Sequence, residues 1–327
     1  SSSARGGIAA LATMGNNAPP PMRYGRHAAT QAPAPKHEDA AQIAARYFDS
    51  IRESPPQLLA FLRAMPKGAD LHNHLSGAIY AEDLLNWAAR DGVCVERATI
   101  TAVAPPCDAA QGRPPVAAAL GDDALYRQII DAWSMRDFVP SSGESGHDHF
   151  FDTFGKFHLV TRTHRGDMLA RALHQAAQDR VEYLELMDTL ADPEIGALVA
   201  RTHWDDDFAH AHAALQPGMP AVLAEAKDEL DSSLRRMRED LHCDSVQADP
   251  GCGVEVRFLY QVLRGFPAPR VFAQMLTGFE LAARDARVVG INLVMPEDGY
   301  LSMRDFRRQM AMLDYLHAQF PQVYVSL

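Results

Sequence analysis

The chain has 327 residues, with 31 Lys+Arg against 42 Asp+Glu and a formal net charge of −11. Such a surface repels polyphosphate backbones and anionic headgroups, which argues against a nucleic-acid partner. Hydrophobic residues at 47% and charged residues at 22% make an ordinary globular mix that excludes wholesale disorder. No run approaches the roughly 18 apolar residues of a membrane span. At about 150 residues per domain, the length allows one large or two ordinary domains.

Residues 1–36 mix Ala, Gly, Pro and Ser, include three consecutive prolines at Pro19 to Pro21, and read as a flexible leader or linker. Ile8 to Met14 is too short for a signal-peptide core, so export processing and a plain chain start both remain open. Ile43, Tyr47 and Ile51, then Leu58, Leu59, Phe61 and Leu62, repeat at helical spacing and predict two short helices parted at Pro55 and Pro56. Ala69 to Leu75, bounded by Gly68 and Gly77, reads as a buried strand, followed by a helix from Ala81 to Arg90. Val93 to Gly121 is irregular and Pro-rich.

Helical patterns return at Asp122 to Met135, His149 to Val160 and Asp167 to Asp179. Val181 to Met187 is a strand, Leu215 to Leu241 a charged helix, Val254 to Leu263 a strand and Ala268 to Ala283 a helix. Arg287 to Val294 is a fourth strand, Ser302 to Phe320 a helix with Ser302 as N-cap, and Val323 to Leu327 a fifth strand. Strands alternating with helices imply parallel βα units. Five in series suit either a doubly wound sheet or an eight-stranded barrel, and periodicity does not choose between them.

Four cysteines fall as two local pairs, Cys94 with Cys107 and Cys243 with Cys252. Two small disulfides formed in an oxidising compartment, periplasmic or extracellular, are one reading; four free thiols in a cytosolic protein are the other. Neither pair has the C-x-x-C spacing of a zinc knuckle.

The most informative segment is Met65-Pro66-Lys67-Gly68-Ala69-Asp70-Leu71-His72-Asn73-His74-Leu75-Ser76-Gly77-Ala78. On a strand, His72 and His74 share one face and can offer two imidazole nitrogens to one metal ion. Fourteen histidines should give roughly 0.6 H-x-H pairs by chance, yet there are three, at 72/74, 147/149 and 210/212. The second and third read as solvated loop histidines. The first stands at the carboxyl end of a parallel strand, where chemistry is normally carried, although a pair of satisfied core histidines is the competing reading. By alternation Asp70 faces the same side as His72, as a second layer around a metal or as a cap or ion-pair partner. Phe150, Phe151, Phe154 and Phe157 form an i, i+1, i+4, i+7 stripe, read first as packing and second as a hydrophobic gate.

Pro66 to Ala78 closely resembles the opening strand of the adenosine deaminase family of zinc-dependent amidohydrolases, with its Pro-Lys-x-x-x-Leu-His-x-His-Leu-x-Gly pattern. Arg180 to Met187, Val254 to Arg264, Val288 to Glu297 and Val323 to Leu327 are similar, in order, to that family's following strands. The resemblance implies a metal-dependent hydrolase domain over residues 37–327, with a TIM-barrel-like (β/α)8 fold of which about the first five strands are present. Cys-containing insertions fall near 93–121 and 241–253. It further implies one Zn2+ held in part by His72 and His74, and hydrolytic release of ammonia from adenosine or a related aminopurine nucleoside. Zinc lowers the pKa of a bound water towards neutrality for attack on the ring carbon.

In the family a third His ligand and the acid Glu belong to a His-Ala-Gly-Glu motif, expected immediately beyond Leu327, so no catalytic acid is assigned within this chain. A C-terminal fragment completing the barrel is then the implied partner. Ser76 stands where the family commonly has an Asp contacting the ribose 5′-hydroxyl. Met295 takes the place of a Gly whose backbone N–H meets purine N3. Glu297 is retained, to bond the nucleoside or organise its loop, or simply as a surface carboxylate. Phe151 and Phe154 fall on the family's lid-like helix over the substrate. Ser76 and Met295 also admit an amidohydrolase acting on another amine, and the missing downstream residues admit a non-catalytic binding relative.

Overall fold

A computed structural model describes residues 39–326; the expected leader at 1–36 and Leu327 lie outside the described residues. The chain divides into two units between Leu58 and Leu59. Helix α1 (Ala40–Ile51) is capped by Asp39, whose carboxylate accepts from the Ala41 N–H at 3.4 Å. Helix α2 (Pro55–Ala64) follows. Pro55 and Pro56 open its first turn, where a missing N–H costs no helical bond.

The second unit runs β1 (Gly68–His74), a 3-10 turn (Leu75–Ala78), α3 (Ala81–Arg90), β2 (Cys94–Glu96), β3 (Thr101–Val103), α4 (Asp123–Ala132), α5 (Gly146–Thr161) and α6 (Arg165–Gln178). Then come β4 (Val181–Asp188), α7 (Asp192–Ala200), α8 (Phe208–Leu215), α9 (Met219–Asp240), β5 (Glu255–Leu263), α10 (Ala268–Arg284), β6 (Val288–Val294), α11 (Tyr300–Arg304), α12 (Phe306–Gln319) and β7 (Tyr324–Ser326).

The main sheet is parallel, in the order β1-β4-β5-β6-β7. Spatial order follows chain order without the reversal that marks a doubly wound sheet, so the fold is a five-stranded portion of a curled (β/α)8-type barrel. Helix α6 packs on β4, and α10 on both β5 and β6. Helix α10 is buried almost throughout, from Val271 to Leu281. The approach is close: a Cβ on Gly278 would lie 2.7 Å from Ile291 Cγ2 and 2.9 Å from Tyr260 Cδ1. The buried Tyr260 hydroxyl is satisfied by donating to the Leu190 carbonyl at 2.9 Å.

Several expectations are corrected. β1 is not a buried strand: Leu71 is 55% exposed and His72 is also exposed. The reason is that β1 is an edge, paired to β4 and to no other described strand, with register shifts between Gly68 and Ala69 and between Asp70 and Asn73. The irregular stretch after Val93 contains the antiparallel pair β2 and β3. The segment around residue 210 is helix α8 rather than a loop; Asp207 caps it by accepting from Ala209 N–H at 2.9 Å and His210 N–H at 3.1 Å. The single helix expected from Ser302 is two, broken at Asp305, and Ser302 is a buried residue inside α11 rather than a cap. Helix α12 docks onto the end of β5 through buried Gln309, whose side chain donates to Arg264 O at 2.8 Å and accepts from Arg264 Nε at 3.1 Å.

Both cysteine pairs are disulfides, Cys94–Cys107 and Cys243–Cys252. Among the described residues no helix is long and apolar enough to cross a membrane.

Candidate metal centre and its surroundings

His72 and His74 emerge together at the carboxyl end of β1, with ring centroids 5.3 Å apart and planes at 76°. A bulge between Asp70 and Asn73 sets their placement. Bulges commonly re-aim a side chain near functional sites. It also defeats simple alternation for Asp70, whose carboxylate is turned onto its own strand, accepting from His72 N–H at 3.2 Å and Asn73 Nδ2 at 2.8 Å.

His74 is half-buried. Burial holds its pKa below the ordinary value and neighbouring His72 lowers it further, against a raising contribution from the hydrogen bond to Gln261. A neutral imidazole is the form that ligates metal. Nδ1 of His74 lies 2.7 Å from Oε1 of Gln261, which reaches across β4 from β5. Side chains from alternate strands meeting in one layer are the interior arrangement of a barrel.

The turn that follows carries Ser76, half-buried, and Gly77. Over Gly77 lies Phe154 of α5, whose ring would touch an added Cβ at 3.4 Å. The phenylalanine stripe grades from buried Phe157, through Phe154 and Phe151, to Phe150 at 42% exposed. Successive rings meet edge to face at 5.0 Å (Phe150–Phe151), 5.3 Å (Phe150–Phe154) and 5.4 Å (Phe154–Phe157). One end of the stripe is core, and its middle covers the turn beside the histidine pair.

Neither of the other H-x-H pairs is a solvated loop pair. Both histidines of the second belong to α5. His149 is buried, with Nδ1 2.9 Å from Glu144 and Nε2 within 3.1 Å of the Asp131 and Ser134 carbonyl oxygens. His147 is exposed, and its Nε2 lies 3.2 Å from Asp298, joining the start of α5 to the loop after β6. In the third pair, both on α8, His210 is exposed beside Asp205, while His212 Nδ1 is 3.1 Å from the Tyr315 hydroxyl.

Met295 has φ +100°, a left-handed conformation that favours glycine. Its side chain is folded against Gly265, where an added Cβ would lie 2.9 Å from the sulfur. Glu297 is exposed in the same loop. Asn292 on β6 is buried and donates through Nδ2 to Ser326 O at 3.2 Å, while its Oδ1 has no hydrogen-bond partner among the described residues. Thus His72, His74, Ser76 and Phe154 are neighbours on one rim. Among the described residues, Met295 and Glu297 are linked to α5 through their loop's Asp298. Gln261 was not foreseen; its one signal is a lone polar residue in the apolar run Phe258 to Leu263.

Two imidazoles supply half of a four-coordinate zinc shell. No group of three or more His, Cys, Asp or Glu suited to a metal gathers among the described residues. The pair therefore fits zinc as part of a site.

No family model matches the chain, and no curated protein matches it. Similar solved structures include Arabidopsis ADAL complexed with GMP, 19% identical with TM-score 0.41, over 81% of this chain and 58% of that one. Another is the Arabidopsis N6-mAMP deaminase MAPDA, 18% identical with TM-score 0.43, over 81% of this chain and 59% of the other. A third is an amidohydrolase from Burkholderia ambifaria with bound Zn, 18% identical with TM-score 0.34, over 78% and 51% respectively. The chain thus spans less than two thirds of each of these structures. At such identities and TM-scores nothing about activity passes to this chain.

Proposed function

We propose that this chain furnishes part of a zinc-dependent hydrolase that releases ammonia from adenosine or a related aminopurine nucleoside, with His72 and His74 as two of the metal's donors. The observation that supports the reading best is the meeting of two imidazoles at the carboxyl rim of a chain-ordered parallel sheet, one of them oriented by a side chain from an alternate strand. A zinc ion, when bound, supplies Lewis acidity and a water acidified towards neutral pH. The remaining donors and the proton-transferring carboxyl come from outside the described residues, as the family resemblance implies.

The chain's own residues then bind and shield. Phe154 and Phe151 keep water from the face above the turn, and Ser76 takes the sugar side. The Met295 backbone N–H, held by a positive φ, meets the base edge, and Glu297 bonds the nucleoside or steadies its loop. The two disulfides favour a periplasmic or secreted location. The left-handed backbone at Met295, with a side chain that the family's glycine lacks, favours one second reading: the same chemistry on a different amine or ring amide.

Ammonia release by the zinc-loaded full-length protein, with the segment that supplies the remaining donors and the acid present, across adenosine, other aminopurine nucleosides and pterins tests both. Fastest turnover of adenosine supports the first reading and of another amine the second. Metal and nucleoside binding without turnover identifies a binding relative instead.

A further inference from the structure

The hydrogen bonds around Gln261 have a direction. Thr189 carries one hydroxyl proton, and its Oγ1 donates it to the main-chain carbonyl of Gln261 at 2.8 Å. A carbonyl only accepts, so that proton is committed, and the lone pairs of Oγ1 are left for the Gln261 amide Nε2 at 3.3 Å. Reversing the amide would set oxygen against oxygen at Thr189 with no proton between them. Oε1 of Gln261 therefore faces His74, and across the 2.7 Å separation only His74 Nδ1 can carry the hydrogen.

We infer that Gln261, oriented by Thr189, is a positioning residue that holds His74 in the Nδ1–H tautomer and leaves the lone pair on Nε2. The two partners come from separate places, Thr189 from the residue after β4 and Gln261 from β5, so the sheet's own register sets the alignment. The second nitrogen of a ligating histidine is commonly fixed in this way, and losing the partner typically costs 10–100-fold in metal affinity. For the metal, the inference rests on the proposed hydrolase reading; the tautomer does not depend on it.

The test is a long-range 1H–15N correlation of the imidazoles in 15N-histidine-labelled full chain at pH 8, metal removed, with His74→Asn assigning the signals. Wild type is expected to show a protonated Nδ1 and a bare Nε2 at His74. Gln261→Met and Thr189→Val should shift His74 towards the Nε2–H form or a mixture. Gln261→Glu, which keeps the acceptor, should retain Nδ1–H. A wild-type His74 in the Nε2–H form, or one unmoved by Gln261→Met, overturns the inference. If Gln261→Met does not fold, the wild-type spectrum and the Gln261→Glu spectrum still decide. A Co2+ titration separates the two levels. A tautomer shift with roughly 10-fold or greater loss of Co2+ affinity supports both the inference and the metal pair. A tautomer shift at unchanged Co2+ affinity supports the inference and removes the metal reading, whereas weakened Co2+ binding with an unmoved tautomer overturns the inference alone.

Discussion

Replacing Gly278 by Ala sets helix propensity against packing. Alanine gains about 1 kcal/mol over glycine in a helix interior. At this position the new methyl would lie 2.7 Å from Ile291 Cγ2, 2.9 Å from Tyr260 Cδ1 and 3.0 Å from Tyr260 Cγ. Neither neighbour yields easily: both are buried at 1% exposure or less, and the Tyr260 ring is tethered through its hydroxyl to Leu190 O. Moving α10 outward by the better part of an ångström would loosen its contacts along both β5 and β6. Overpacking of this kind costs about 1–3 kcal/mol, and a rigid site falls at the upper end. The net expectation is a loss of about 1–2 kcal/mol, read by urea denaturation as a lower midpoint at unchanged m-value. A raised midpoint would refute the close seating of α10 on the sheet.

Breaking Cys243–Cys252 by a double serine substitution should cost about 2–3 kcal/mol in the loop-entropy model; a melting temperature indifferent to the substitution and to reductant would contradict the bond. Arg165→Met should cost about 3 kcal/mol, because it strands the Asp188 and Glu229 carboxylates that the guanidinium joins; chemical denaturation reads it, and a neutral result removes the clamp. Burial and a hydrogen bond to Asp167 push the Asp240 carboxyl up to about 6. A folded pKa above the unfolded value gives stability that is present below about pH 4 and lost as pH rises through about 6. Asp240→Asn should therefore flatten the fall in stability between pH 4 and 7, and curves that stay parallel would reject the shared proton.

The five strands of the main sheet were legible because each is a short run between glycine, proline or polar breaks, and Ala81 to Arg90 matches its helix residue for residue; β2 and β3, three residues each, were not, being too short to show alternation. Helices α7 and α8 were not, because each is too short to develop a periodic face; the Asp207 cap was the readable trace of α8. The histidine pair was readable as a spacing. The bulge that places it was not, since a register shift exists only in relation to β4. Gln261 lies 187 residues from His74 and meets it only once β1, β4 and β5 are aligned. The glycine-like backbone at Met295 did leave a trace, as a methionine where the resembling family has glycine.

Zinc content of the full-length protein, with the segment that supplies the remaining donors present, measured by elemental analysis with His72→Ala and His74→Ala alongside, tests the histidine pair most directly. One zinc per chain, lost in both variants while the fold survives by circular dichroism, is the expected result. Zinc retained in full by either variant, or none taken up by wild type from zinc-supplemented buffer, would contradict it.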